Sequence, residues 1–191
     1  MSRLPSVAVK RTPAPTAAAL IRPVWVRAVV TALFAVVAIF SQEETLTLLK
    51  FSLAGFFVIG ASAVWDYAKD VDVVPDSVRG PLAFGAAAWV LSGIAAVFVG
   101  TTTAAAVVAG IGFLAMGAAE LIAGIRGRQE FVPARDQMVL GGIGAATGLG
   151  LLAAMGLDPH GVMGMAGTGV IVMAVLLLIS GAGMVHDSKR G

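Results

Sequence analysis

Long apolar stretches separated by short polar ones set the outline of this chain. A helix crossing a bilayer needs about 20 consecutive, mostly apolar residues. Residues 23–40 and 45–65 supply two such stretches, the second broken only by Lys50 near its start. Residues 80–119 carry no charged side chain. That run is twice the length of one span, and "VGTTTA" at 99–104 falls at its middle as a turn, so it divides into helices at about 81–99 and 103–125. Residues 137–157 and 163–185 give two more helices, with "LDPHGVM" (157–163) as the turn between them. The pattern predicts an all-α integral membrane protein with six transmembrane helices over residues 21–186. Residues 1–20, rich in Pro and Ala, lack the compact apolar block and cleavage site of a secretory signal and read as a disordered tail. Residues 187–191 form a short second tail.

The connections between these helices fall into two classes. One side of the predicted membrane holds the N-terminal tail, the 66–80 loop, the 126–136 loop and the C-terminal tail. It carries Arg3, Lys10, Arg11, Arg22, Arg27, Lys69, Arg79, Arg126, Arg128, Arg135, Lys189 and Arg190, against Lys50 alone on the other side. Cytoplasmic loops hold the excess of Lys and Arg, so both termini are expected in the cytoplasm. Trp25 and Arg27 sit at the entry of the first span, where an indole suits the headgroup region and an arginine snorkels toward it.

A shift of 57 residues reveals an internal repeat. "GFFVIGASA" (55–63) lands on "GFLAMGAAE" (112–120) and then on "GVIVMAVLL" (169–177). The same shift carries "SQEETL" (41–46) onto "FVGTTT" (98–103) and onto "MGLDPH" (155–160). Even helices align with even helices and outer turns with outer turns. The chain therefore reads as three parallel helical hairpins, at about 23–66, 80–125 and 136–185. In lipid no hydrophobic force draws helices together, and small residues let backbones approach closely. Gly55 and Gly60, with their counterparts Gly112 and Gly117, are five apart, or roughly 140° around a helix, and so face two neighbours. Gly144 and Gly148 form a small-xxx-small pair in the fifth helix.

Composition changes little in this picture and excludes much chemistry. Of 191 residues, 58% are hydrophobic and only 13% charged, where soluble domains carry roughly 25% charge. The net charge of +2 follows from the cytoplasmic loops and does not point to nucleic acid. With no cysteine, disulfides, thiolate metal sites and cysteine nucleophiles are excluded. The two histidines, His160 and His186, are too few for a multi-histidine metal or haem site in one chain. No cofactor or metal is expected.

The three two-helix repeats, the basic residue before each odd helix (Arg27, Arg79, Arg135) and the Gly-x4-Gly phrase of the even helices resemble the HdeD-like family, small six-helix bacterial membrane proteins named for acid resistance. The resemblance covers about residues 22–185. The chain departs from that pattern in lacking a Pro-Gly turn after its odd helices. The resemblance implies the fold, a place in the bacterial inner membrane and a stress-response role.

Few residues offer chemistry. Glu120 is the only acid well inside a predicted helix, six residues before Arg126 and so roughly 9 Å from that end. Intramembrane ionisable residues are functional candidates by default, so Glu120 reads either as a proton- or cation-handling carboxylate or as one half of a structural ion pair with Arg27, Arg79 or Arg135. Lys50 with Glu43 and Glu44 reads as a snorkelling cation with surface partners. The acids at 66, 70, 72 and 76 lack the glycine and closing glutamate of an EF-hand loop and form a solvated connector. His160 belongs to a turn. "GIGFLAMG" (110–117) follows no strand, so it is no dinucleotide site, and the serines lack a base. The expectation is a non-enzymatic membrane protein in the lipid bilayer. It would serve as an accessory or structural subunit beside other membrane proteins, or as a homo-oligomer, with a small transporter using Glu120 as the alternative.

Overall fold

The computed structural model describes residues 11–41 and 45–189, and among these the chain is helical, with no strand. Six helices follow in order: α1 (Ala14–Phe40), α2 (Leu46–Ala68), α3 (Asp76–Phe98), α4 (Thr102–Gly127), α5 (Ala134–Ala153) and α6 (Pro159–Ser188). Five of them, all but α5, are long and apolar enough to cross a membrane. This fits a multi-pass membrane protein.

Local chemistry explains the helix ends. Thr45 and Thr101 accept from the backbone N–H of Leu48 and Ala104, each at 3.2 Å. These bonds satisfy amides that a helix start leaves without a partner. Asp158 does the same for Gly161 at 2.8 Å, with Pro159 as the first helical residue. Proline suits that position because its missing N–H is not needed there. "LDPHGVM" is thus a helix start, and α6 begins four residues before the expected 163. α1 also starts early, at Ala14, so residues 14–20 are helical where a disordered tail was expected. Pro15 lies in its first turn, where proline is tolerated, and alanines fill most of the next positions. The expected tail at residues 1–10 lies outside the described residues.

Each helix packs against its neighbours in sequence, and α6 closes onto α1. Helices α2, α4 and α6 also meet one another. They form the inner triangle, with α1, α3 and α5 set into the notches between them. The inner helices carry buried stripes at 49, 53, 56, 60, 63 and 67, at 106, 110, 113, 117, 120 and 124, and at 163, 167, 170, 174, 177 and 181. Steps of four and three keep such a stripe on one face of a helix. Five aromatic rings fill the middle. Phe56 lies 5.1 to 5.4 Å from Phe34, Phe57, Trp89 and Phe113. Outside, the helices remain apolar. Leu33, Phe84 and Phe98 are 60%, 70% and 81% exposed, an arrangement suited to lipid.

Candidate functional site

Among the described residues, Glu120 and Arg27 are the charged ones that the fold buries. Arg27 lies well inside α1 and points into the bundle, not toward the headgroups as its place in the sequence suggested. The helical start at Ala14 puts more than three turns of helix before it, which leaves the guanidinium too deep to reach the end of the bundle. Its Nη1 donates to Glu120 Oε1, and the carboxylate is fully enclosed. Thr31 Oγ1 donates to the Arg27 carbonyl at 2.6 Å, which holds that turn of α1.

The guanidinium rests 5.3 Å from the centre of the Trp89 ring. Trp89 Nε1 donates to the Gly112 carbonyl at 3.0 Å, so the indole links α3 to α4. On its other side Trp89 leans on Gly60, where a methyl would stand 2.7 Å from the ring atom Cζ3. A chain of contacts therefore runs from Gly60 through Trp89 and Arg27 to Glu120 and ties α2, α3, α1 and α4 together. A cation over an indole is favourable, and a buried charge needs such partners because desolvation is costly.

The other arginines grouped with Glu120 by sequence lie elsewhere. Arg79 pairs with Asp76 one turn away, at the surface. Arg135 lines a cavity of about 350 Å³ near Arg11, Asp136 and Asp187. The Asp-rich connector has a local pair of its own, Lys69 with Asp66 at 2.7 Å. Lys50 Nζ sits 5.4 Å from the Phe51 ring, while Glu43 and Glu44 lie outside the described residues. His160 takes the second position of α6.

The glycines divide. At Gly117 a methyl would meet the Ala145 amide nitrogen and stand 2.8 Å from the Gly141 carbonyl oxygen. At Gly148 it would stand 2.6 Å from the Gly110 carbonyl. At Gly144 it would stand 3.1 Å from Met173 Cε and 3.3 Å from Gly117 Cα. At Gly112 it would approach Phe57 Cζ and Ser92 Oγ, both at 2.9 Å. Gly55 departs from the packing role expected of it, for nothing lies within 4 Å of such a methyl. It borders an outward groove of about 200 Å³ with Val30, Phe34 and Phe51.

The closest seam had a signal that the five-residue spacing hid. Gly110, Gly117 and Gly124 on α4 are seven apart, as are Ala134, Gly141 and Gly148 on α5. A seven-residue repeat keeps small residues on one seam of two wrapped helices, and here the two runs face each other in antiparallel order. Gln137 and Tyr67 were also missed. Both are buried near Arg27, and neither stands out in sequence, as Tyr67 falls in the expected 66–80 connector and Gln137 at the first position of a predicted span. No family model, curated protein or solved structure matches the chain.

Proposed function

We propose that the chain is a six-span, non-enzymatic protein of a bacterial cytoplasmic membrane, with both termini in the cytoplasm, serving as a small accessory or structural subunit of a membrane complex. The observation that carries this reading is the Arg27–Glu120 pair. The charges buried among the described residues close on each other across α1 and α4, so they join helices.

Two further observations support the architecture. The buried stripes of α2, α4 and α6 superpose under the 57-residue shift, position for position, as expected of three parallel hairpin repeats. α5 has 20 residues, which at 1.5 Å per residue is about 30 Å and matches a bilayer core. Its weaker hydropathy comes from Arg135, Asp136 and Gln137 in its first turn, where long polar side chains can reach the membrane surface, so it suits a sixth span. The repeated hairpins also support membership of the HdeD-like family and its stress-response setting, although Arg27, Arg79 and Arg135 lie within α1, α3 and α5 and not before them.

Because the chain lacks cysteine, single cysteines report topology directly. With an impermeant maleimide on intact cells, Gly100→Cys and Gly156→Cys label, and Asp72→Cys labels only after permeabilisation. The reverse pattern inverts the orientation, and labelling of only one of the two glycine variants removes the sixth span. The subunit role is tested by capturing the tagged chain from native membranes in mild detergent. A stoichiometric partner set supports it. Recovery of the bare chain or of a homo-oligomer defeats it.

A further inference from the structure

Beside the ion pair lies a small internal cavity of about 20 Å³ lined by Arg27, Tyr67 and Gln137 together with Ala63, Leu82 and Leu177. Roughly 10–15 Å³ is enough to seat one water when polar partners surround it. Arg27 Nε and Nη2 and Gln137 Oε1 are enclosed and have no hydrogen-bond partner in the protein, nor has Glu120 Oε2 of the ion pair, and the Tyr67 hydroxyl, with the Gln137 side chain next to it, makes no hydrogen bond of ordinary geometry. Native interiors pair nearly all of their buried polar groups, with protein or with ordered water.

The inventory of these groups matches water. The guanidinium offers donors only, the amide oxygen accepts only, and the phenol does both. A water that accepts from Arg27 and donates to Gln137 Oε1 satisfies both and can also bridge to Tyr67. The cavity is too small for an organic ligand. A bare cation would face the guanidinium, and a bare anion would face the Gln137 oxygen.

An entry route is also visible. At the end of the bundle holding the 69–75 and 128–133 connections there is a cavity of about 410 Å³, lined by Arg11, Asp72, Glu130 and Phe131 among others. Phe131 walls this outer cavity and Tyr67 walls the inner one. The two rings touch edge to face with centroids 6.3 Å apart. One aromatic layer therefore separates the polar node from the polar outer cavity.

We infer that the cavity at Arg27, Tyr67 and Gln137 is a resident-water site, holding one or two molecules that exchange with the outer cavity past the Tyr67–Phe131 contact. The inference is independent of any partner. It makes the Arg27–Glu120 pair a hydrated node within an otherwise dry core, open to exchange from one end only.

Hydroxyl-radical footprinting by X-ray radiolysis of the full chain in detergent tests it, because radicals form from water next to the side chain they modify. Tyr67 is expected to be oxidised at a rate within a few-fold of exposed Trp65, while buried Phe57 and Phe113 stay unmodified. Brief mixing with oxygen-18 water should label Tyr67, and Phe131→Ala should speed that labelling several-fold. Protection of Tyr67 equal to that of Phe113 overturns the site, and no acceleration by Phe131→Ala overturns the route. Tyr67→Phe gives a second reading. If the hydroxyl bonds to water, its removal lowers the thermal midpoint by a few degrees. If the cavity is dry, removal relieves an unpaired polar group and raises the midpoint, which overturns the proposal.

Discussion

The phrases at 55–60 and 112–117 share their pattern of glycines and apolar residues but sit in different surroundings. In α4, Gly117 lies against the backbone of α5, and Gly112 lies against Phe57 and Ser92. In α2, Gly60 lies against the six-membered ring of Trp89, and Gly55 lies against nothing. Three residues past the second glycine the copies differ again: α2 has Ala63 and α4 has Glu120, at corresponding buried positions. One motif thus makes a backbone seam in one place and a seat for an indole in another. A glycine removes a side chain, and the neighbouring helix decides what fills the space. The corresponding Ala63 and Leu177 also border the cavity at Arg27, and only the α4 copy supplies a carboxylate that closes on the guanidinium.

The largest effect expected from breaking this comparison is at the carboxylate. Glu120→Ala leaves the Arg27 guanidinium buried without its counter-charge, and removing one partner of a buried pair costs about 3–5 kcal/mol. The double variant Arg27→Leu with Glu120→Leu should recover most of that loss. Unfolding in mixed micelles measures both, and a wild-type midpoint for Glu120→Ala would show that the pair does not hold the bundle together.

The seams come next. Gly117→Ala forces a methyl into the α5 backbone, which cannot rotate aside, at a cost of about 1–3 kcal/mol. Gly60→Ala presses on the edge of Trp89, a ring that can tilt, so a smaller loss of about 1 kcal/mol is expected. It should come with a shift in tryptophan emission as the indole moves on Arg27. Equal losses at the two sites would mean that the indole is held as rigidly as a backbone. The smallest effect is at Gly55→Ala, which meets open space. It should stay within about 0.5 kcal/mol of the parent, and a loss as large as that of Gly117→Ala would place a packed surface over Gly55.

The positions of the helices were largely legible because each cause is local. Apolar runs, a capping threonine or aspartate and a proline at a helix start act within a few residues, and α2 to α4 fall close to where hydropathy placed them. The errors at 14–20 and 157–163 share one source. Proline was read as an interruption, although at the first turn it starts a helix. The candidate site was legible only in part. Glu120 stood out as a lone acid in an apolar run, but three arginines were equally available to it by sequence, Tyr67 was read as part of a solvated connector, and Gln137 looked like an ordinary span-end residue.

The sequence by itself determined the helices, their apolar exteriors and the glycines that permit close approach, because helix formation and preference for lipid depend on about twenty neighbouring residues at a time. Only the tertiary structure decided which glycine meets a backbone, which arginine turns inward and where a polar cavity remains. Lipid is as apolar as leucine, so these helices are apolar all round and no polar face marks which side turns inward. The inward side is chosen by the shape of the neighbouring helix, and that choice places Arg27, Tyr67 and Gln137 around one small space.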